Sequence, residues 1–153
     1  MTVTRLDRRA WGCAEFPGLG LSLLVPEGTD ALSEQPLVLA LPALDGMRAR
    51  WVLETLWADA PLDDWLSEQL AGQLGSLELA LLLFRERCEV FGNAGWRTLL
   101  HHAVDGRAVT VAQWWTVVAG RGAVVSASCW TPHYDLLADA FCEIQEGVRF
   151  DDE

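Results

Sequence analysis

A candidate nucleophile and base, Cys129 and His133, lie four residues apart around the segment that Pro132 opens. A thiolate near a helix N-terminus is stabilised, and a nearby imidazole could activate it as a nucleophile. Cys129, however, alternates with Ser128 and Trp130 in a run typical of a β-strand, where a lone cysteine commonly serves as a small apolar side chain. A small hydrolase-like or ligand-binding domain that uses the Cys129/His133 region is therefore kept as an alternative function.

The other polar residues that could form a catalytic or metal site are better explained as structural. His101 and His102 are adjacent, so in a strand their rings point to opposite faces and do not share a metal. Asp63 and Asp64 fall in the first turn of a predicted helix, where carboxylates interact favourably with the helix dipole. The glycines form no phosphate-binding pattern, and the sequence contains no HExxH, GxSxG or CxxC motif. We therefore expect a protein that is not an enzyme, with no cofactor and no metal.

The stretch 107–131 organises the chain, because two runs rich in Val, Ala, Thr and Trp flank a Gly-Arg-Gly sequence at 120–122. This pattern predicts a β-hairpin. A two-residue Gly-Arg loop would shift the pairing by one residue and mix polar with apolar side chains on each face. We therefore favour a three-residue Gly-Arg-Gly loop.

The favoured hairpin register creates a sheet face of unusual composition. The three-residue loop pairs Thr116 with Ser126 and Trp114 with Ser128, which places small hydroxyl groups and indole rings on one side. Such a face is less apolar than a core, and exposed aromatic patches usually mark contact sites. A helix that covers this face is the alternative interpretation. The predicted binding residues are Trp114, Thr116, Ser126, Ser128 and Trp130.

Composition and charge restrict the classes of partner. The 153 residues are 51% hydrophobic, which is typical of one folded domain with a sizeable core. The formal net charge is −11 and all eleven basic residues are arginines, so the sequence lacks the basic surface that nucleic acid or an anionic membrane requires. We expect another protein as the partner, no nucleic acid and no membrane insertion, with a homodimer as an open alternative.

Features typical of exported proteins are missing from the sequence. The arginine-containing N-terminus has no apolar stretch behind it, and the longest apolar run, 79–84, is too short to span a bilayer. The four cysteines, Cys13, Cys88, Cys129 and Cys142, are widely separated, which is more typical of buried thiols than of a disulfide framework. We therefore predict a cytoplasmic protein.

Hydrophobic periodicity and turn residues predict one α+β domain at 15–150, after a loosely ordered lead-in at 1–14 and before an acidic tail at 151–153. A loop is expected at 27–35 because of its composition. The predicted extended segments are 19–26, 37–41, 47–58, 76–91, 96–104, the two arms of the hairpin, and 148–150. The predicted turns are Asp45-Gly46, Gly92-Asn93 and Asp105-Gly106.

Two helices are predicted where the apolar spacing changes to that of a helix. The first begins at Pro61 and carries a stripe of Leu and Trp towards the core. The second is capped by Thr131, starts at Pro132 and ends at Gly147. The tryptophans expected in the core are Trp51, Trp57 and Trp65.

The opening FPGLGLSLLVPEGT at 16–29, the mid-chain helix, the hairpin and the closing FCEIQEGVRF at 141–150 together resemble the PsbP/Mog-like superfamily. That superfamily includes the DcrB-type proteins, the Eag secretion chaperones and the Ran-binding Mog protein. The resemblance covers nearly the whole chain through element order and a few spaced residues. It implies an antiparallel β-sheet flanked by helices in an α/β/α sandwich, and a non-enzymatic role in binding another protein.

These observations together predict a non-enzymatic protein-binding module. We expect an accessory factor, chaperone or adaptor for a secreted or membrane-destined client, which buries an apolar client segment against the Trp-bearing sheet face. The alternatives are a hydrolase-like or ligand-binding domain at Cys129 and His133, and a self-associating structural protein in which the same face pairs two copies.

Overall fold

The computed structural model describes residues 11–151, so most of the predicted lead-in and the end of the acidic tail, residues 1–10 and 152–153, lie outside the described part. The strands are β1 (Trp11–Phe16), β2 (Leu21–Pro26), β3 (Asp30–Glu34), β4 (Leu37–Ala40), β5 (Arg50–Trp57), β6 (Leu81–Val90), β7 (Asn93–Val104), β8 (Arg107–Val118), β9 (Arg121–Trp130) and β10 (Arg149–Phe150). The helices are α1 (Leu62–Ser76) and α2 (Tyr134–Glu146), and 3-10 turns lie at Pro17–Leu19 and Thr131–His133.

The strands form two antiparallel sheets. The large sheet has the order β3-β4-β5-β9-β8-β7-β6, and the small sheet has the order β1-β2-β10. Strands β6 to β9 follow one another through tight hairpins, whereas β5 joins the sheet beside β9. The single α+β domain with antiparallel strands and flanking helices confirms the predicted fold class.

One side of the large sheet, here called the inner face, carries most of the hydrophobic core. Trp51, Trp114 and Val125 are buried there and pack with Phe141 and Ile144 of α2 and with the small sheet. Burial of each such side chain contributes about 1.5–3 kcal/mol. The inner face is therefore a filled interior.

The opposite side, here called the outer face, is covered at one end by α1. Trp65 of α1 stands edge-on to Trp115 of β8, with ring centroids 5.7 Å apart. Gly122 on β9 leaves room for this ring, because a Cβ at that position would overlap Trp65. Leu66 and Leu70 pack into the same cluster. Helix α1 is therefore fixed at the end of the sheet nearest the β8–β9 turn.

Tight turns connect the long strands. Phe91-Gly92, Asp105-Gly106 and Ala119-Gly120 have positive φ at both residues, the conformation whose twist matches that of the flanking strands. The predicted Asp105-Gly106 turn is confirmed, and so is the Asp45-Gly46 turn, which a bridge between the residues on either side closes. The turn predicted at 92–93 lies one residue earlier.

The register of the β8–β9 hairpin differs from the predicted one. The connection is the two-residue turn Ala119-Gly120, and Trp114 pairs with Val125 instead of Ser128. The predicted three-residue loop is therefore wrong. Because the turn uses residues 119–120 instead of 120–122, the pairing shifts by three residues, and an odd shift exchanges the faces of one strand relative to the other.

Two segments predicted to be irregular are strands. Trp11–Phe16 forms β1 and pairs with β2, so the predicted lead-in is wrong for the residues from Trp11 to Ala14. Asp30–Glu34 forms β3 and pairs with β4, where the sequence predicts a loop. Both are edge strands whose side chains are mostly exposed. Backbone pairing defines them, and their apolar patterning is too weak to reveal a strand.

Two side chains lie in places other than those predicted. Trp57 occupies the last position of β5 and is 78% exposed, so its predicted place in the core is wrong. The core packs against Trp51, at the other end of the strand. Thr131 does not cap α2: a 3-10 turn precedes the helix, and Thr131 Oγ1 lies 2.9 Å from Thr110 Oγ1. Gly147 follows the last residue of α2, as predicted.

Candidate functional site

An open cleft of about 740 Å³ lies on the outer face, at the end of the sheet away from α1. Its floor comes from four neighbouring strands: Arg50 begins β5, Ser128 and Trp130 end β9, Val109 lies near the start of β8, and His102 lies near the end of β7. We call this the basic cleft. Its volume is within the range of ligand sites in proteins, about 300–1,000 Å³.

The sheet register brings these floor residues together. Arg50 pairs with Ser128, while Trp130 pairs with Val109, which in turn pairs with His102. Directly opposed residues of antiparallel strands point to the same face, so all five side chains lie on the outer face. Residues that are distant in sequence thus form one surface.

Two Asp-Gly turns flank the basic cleft. Met47 and Arg48 belong to the loop that the Asp45-Gly46 turn closes, before β5. Asp105 and Arg107 belong to the turn between β7 and β8, on the far side of β9. The loop before β5 and the β7–β8 connection thus form two walls of the cleft, one on each side of β9, which carries Trp130.

Hydrogen bonds from Arg48 hold the first wall in place. Its Nη1 donates to Asp30 Oδ2 at 2.8 Å, and its Nε donates to the Leu41 carbonyl at 2.7 Å. Its Nη2 donates to the carbonyls of Ala40 at 2.8 Å and Gly28 at 3.0 Å. Because these groups accept its hydrogen bonds, the Arg48 guanidinium fixes the position of the loop before β5.

Two other arginines of the basic cleft have no acidic partner among the residues that the structure describes. Among residues 11–151, Arg50 makes no hydrogen bond or ion pair. Arg107 makes one hydrogen bond within the same range, from Nη1 to Met47 Sδ at 3.5 Å. Asp105 is the carboxylate that lines the cleft with them. Two unpaired guanidinium groups therefore line a cleft in a chain whose net charge is −11.

The floor also contains polar groups without partners. On the neighbouring row of the outer face, Gln113 Nε2 donates to Ser126 Oγ at 3.0 Å. By contrast, within the described part of the chain Ser128 Oγ has no hydrogen-bond partner, and the buried Nδ1 of His102 has none either. Within residues 11–151, the floor of the basic cleft thus keeps unused hydrogen-bonding capacity, as does Gln113 Oε1 on the neighbouring row.

Trp130 is half-buried and its ring is held from one side. It stands edge-on to His133, with ring centroids 5.1 Å apart. Asp45 Oδ2 lies 3.2 Å from Nε2 of the same histidine. The contact ties the loop before β5 to the 3-10 turn that precedes α2. The indole therefore has a defined orientation without a bound partner.

The Cys129/His133 pair lacks the geometry of an activated nucleophile. Cys129 lies opposite Thr110 on the inner face, and burial raises the pKa of its thiol to about 12, so that it stays protonated at neutral pH. His133 directs Nε2 towards Asp45. A thiolate–imidazole pair is therefore not formed.

All four cysteines are free thiols, and they differ in exposure. Burial raises the pKa of Cys88 and of Cys142, which are half-buried. Cys13 is exposed, so its predicted burial is wrong. It lies on the edge strand β1.

The structure divides the five predicted binding residues between the two faces of the sheet. Trp114 and Thr116 are on the inner face and are 5% and 0% exposed. Ser126, Ser128 and Trp130 are half-buried on the outer face. The predicted common face is wrong because the hairpin register differs from the expected one. Of the five, Ser128 and Trp130 line the basic cleft.

Sequence reasoning missed the charged residues of the basic cleft. Arg50, His102 and Arg107 lie on three different strands, and nothing in their spacing along the chain signals a shared surface. The usable signal is the pair of Asp-Gly turns, because arginines close to both turns reach the same end of the sheet once β5 is paired with β9.

A second exposed aromatic side chain lies elsewhere on the sheet. Trp57 pairs with Arg121, which pairs with Val118 beside the β8–β9 turn. Trp57 belongs to the inner-face side, whereas Trp130 belongs to the outer face. It provides a matched comparison for any role of Trp130.

The described part of the chain contains no group of three or more His, Cys, Asp or Glu side chains arranged to hold a metal ion. None of the helices within residues 11–151 is both long enough and apolar enough to cross a bilayer.

No protein-family model and no curated protein matches the sequence. Solved structures do match the fold. Over 92% of this chain and 95% of the other, the Ran-binding protein Mog1p of Saccharomyces cerevisiae superposes with a TM-score of 0.67 at 10% identity. Cyanobacterial PsbP (CyanoP) of Synechocystis sp. PCC 6803 matches over 98% of both chains with a TM-score of 0.63 at 11% identity.

A third match is LpqN of Mycobacterium tuberculosis, a protein involved in cell envelope biogenesis. It covers 84% of this chain and 81% of its own, with a TM-score of 0.64 at 20% identity. These identities are too low to carry function between the chains, but the superpositions cover most of each molecule. The chain therefore has the PsbP/Mog-like fold.

Proposed function

We propose that this protein is a non-enzymatic protein-binding module that holds a segment of a partner protein in the basic cleft. The observation that carries the proposal is the half-buried Trp130 between Arg50 and Arg107, which have no acidic partner in the described part of this strongly acidic chain. Trp and Arg are the side chains most enriched at the energetic centres of protein interfaces. In its finer form, the proposal is an accessory factor, chaperone or adaptor for a secreted or membrane-destined client.

Proteins of the same fold support this class of function. Mog1p is a Ran-binding protein, and LpqN is involved in cell envelope biogenesis. A PsbP/Mog-like domain with a shaped and partly apolar surface is suited to binding another protein. The protonated Cys129 thiol on the inner face favours this role over the hydrolase-like alternative.

The four free cysteines fit a reducing compartment, where thiols stay unpaired. We accordingly propose a cytoplasmic location, which fractionation of cells that express the tagged protein would test. Recovery in the cytosolic fraction is expected, and recovery outside it would contradict the location without affecting the cleft.

Affinity capture with matched tryptophan variants tests the function. The tagged protein is used to capture partners from its own cell lysate, including detergent-solubilised membranes, beside Trp130→Glu and Trp57→Glu. Both changes place a carboxylate on an accessible tryptophan site, but only the first lies in the basic cleft. We expect a specific partner that the wild-type and Trp57→Glu proteins retain and that Trp130→Glu loses.

Circular dichroism and thermal unfolding must show that both variants are folded. Equal capture by folded Trp130→Glu would refute the cleft as the binding surface. Sedimentation of the protein alone separates a heterologous partner from the self-association alternative, since a stable dimer would show that the chain's own copy is the partner.

A further inference from the structure

We propose that the basic cleft binds an extended segment in which an apolar side chain is flanked on both sides by carboxylates. The inference rests on the proposed function and deepens it by naming the chemistry of the partner segment. Three groups carry it: the guanidinium groups of Arg50 and Arg107, and the indole of Trp130 between them.

The register sets the spacing of the two arginines. Arg50 aligns with Ser128 on β9 and, two strands away, with Val111 on β8. Arg107 lies four residues before Val111 on the same strand. With about 4.8 Å between strands and about 3.4 Å per residue, their Cα atoms are about 17 Å apart. The first and fifth residues of an extended chain are about 14 Å apart, and the long arginine side chains can span the remaining distance of about 3 Å.

An apolar pair, Trp130 and Val109, lies between the arginines, beside the polar Ser128 and His102. Trp130 and Val109 pair directly on the floor, and the edge-on contact with His133 fixes the indole. An aromatic or aliphatic side chain would pack on this indole and remove its exposed area from water. In an extended segment, alternate side chains share one face, so a central apolar residue and the acidic residues two positions away on either side all point into the cleft.

Charge selects the flanking residues. Among residues 11–151, Arg50 and Arg107 have no acidic partner, whereas Arg48 is neutralised by Asp30. Asp105 is the opposing charge on the cleft lining. The formal net charge of the chain is −11. It therefore repels an acidic protein except where the carboxylates of that protein meet these two guanidinium groups. The arrangement favours a short acidic–apolar–acidic segment.

Residues 1–10 do not have this acidic–apolar–acidic pattern. Residues 1–10 contain three arginines and one aspartate. At the other end, Asp151 donates its backbone N–H to the Gly20 carbonyl beside the small sheet, which packs on the inner face. The proposed occupant is a segment of a different protein, whose carboxylates would complement the guanidinium groups of Arg50 and Arg107.

A peptide titration tests the proposal directly. The probe is a fluorescently labelled, end-capped peptide Gly-Glu-Ala-Phe-Ala-Glu-Gly, mixed with the full chain at low ionic strength and followed by anisotropy. Its companion has glutamine in place of both glutamates. We expect the glutamate peptide to bind about fivefold more tightly, and the difference to shrink as salt is added.

Substitutions in the cleft should change the affinities for the two peptides differently. Arg50→Gln and Arg107→Gln each weaken the binding of the glutamate peptide about two- to fivefold and leave the affinity for the glutamine peptide unchanged. Asp105→Asn removes the opposing charge and tightens the binding of the glutamate peptide by a similar factor. The turn is expected to keep its conformation, because asparagine tolerates the positive φ of 51° at this position. The control Arg121→Gln, beside Trp57, leaves both affinities unchanged.

The apolar requirement has its own test. Trp130→Ala weakens the binding of both peptides about tenfold or more, as expected for a central interface tryptophan. The Trp57→Ala variant is the matched control and should bind as the wild type does.

The outcomes separate this proposal from the broader function. Equal binding of the two peptides, or binding of neither, overturns the acidic–apolar–acidic chemistry. The protein-binding function still stands if affinity capture continues to depend on Trp130. A dimer of the protein alone that Arg107→Gln dissociates would assign the cleft to a second copy and overturn the proposal.

Discussion

Gly122 shows at the scale of one residue how a missing side chain fixes a helix. A Cβ there would overlap the Trp65 ring, which the backbone of β9 cannot easily avoid. We expect Gly122→Ala to lower the free energy of unfolding by about 1–3 kcal/mol, because overpacking forces side chains and backbone to move. Chemical denaturation followed by tryptophan fluorescence would measure it.

The matched control is another glycine to which a methyl group can be added without a clash. Gly72 is exposed in α1, and a Cβ there meets nothing within 4 Å. Gly72→Ala should raise the free energy of unfolding by about 0.5–1 kcal/mol, since alanine loses less conformational entropy in a helix. A stabilising Gly122→Ala would mean that Trp65 does not pack against β9.

Thiol reactivity is a second residue-scale test. Cys13 is exposed, whereas Cys129 is buried with a pKa raised to about 12. We expect iodoacetamide at pH 8 to label Cys13 in the folded protein and to leave Cys129 unlabelled until denaturant is added. Mass spectrometry of the digested protein reads the sites. Rapid native labelling of Cys129 would revive the nucleophile hypothesis.

The same thiol makes stability depend on alkaline pH. Burial raises the pKa of Cys129 from an ordinary 9.0 to about 12, so the unfolded chain releases this proton at lower pH than the folded chain. Stability contributed by the protonated thiol is complete below pH 9 and is lost as pH rises towards 12, by up to about 1.4 kcal/mol per pH unit. Cys129→Ala should flatten the fall in unfolding free energy between those limits relative to the wild type.

Strand β5 illustrates the scale of one element, because its two ends lie in different environments. Trp51 is fully buried on the inner face, whereas Trp57 at the other end is 78% exposed. Trp51→Ala should cost about 3–5 kcal/mol of unfolding free energy, while Trp57→Ala should stay within about 0.5 kcal/mol. Denaturation curves of the two variants measure both free energies of unfolding. Equal losses of stability would contradict the placement of Trp51 in the core and Trp57 outside it.

At the scale of the whole molecule, the two edges of the large sheet differ. The β6 edge begins with apolar side chains, of which Leu81 is 58% exposed, and the preceding Leu79 is 81% exposed. Unpaired backbone groups beside apolar side chains favour edge-to-edge pairing. We expect Leu81→Lys to lower self-association at high protein concentration, measured by light scattering, without a change in melting temperature.

The opposite edge serves as the control for this prediction. On β3, Leu32 is 53% exposed, but the strand has a bulge and ends with Asp30 and Glu34. Bulges and charges protect edge strands, so Leu32→Lys should not alter scattering. If Leu81→Lys and Leu32→Lys reduced scattering equally, self-association would depend on exposed apolar side chains in general and not on the β6 edge.

Much of this architecture could be predicted from local sequence. The Asp-Gly turns at 45–46 and 105–106, the stripe of α1 and the ending of α2 at Gly147 all follow from turn chemistry and periodicity, which act within a few residues. Edge strands were missed because exposed residues on β1 and β3 carry little apolar alternation.

The candidate site could be predicted only in part. Two of the predicted binding residues, Ser128 and Trp130, line the basic cleft. The predicted register places Trp114 and Thr116 on the same face, which the Ala119-Gly120 turn does not allow. An odd shift in register, here of three residues, exchanges buried and exposed faces, and composition alone does not fix where the turn closes.

The sequence by itself determined the fold class, the strongly acidic character and the positions of most turns and helices, because these depend on neighbouring residues and on composition. Tertiary structure alone decided which side chains share a surface. Pairing of β5 with β9 brings Arg50 beside Ser128, and the β7–β8 hairpin brings Arg107 to the other side of Trp130. Long-range strand pairing joins residues distant in the chain, and no local spacing encodes that contact.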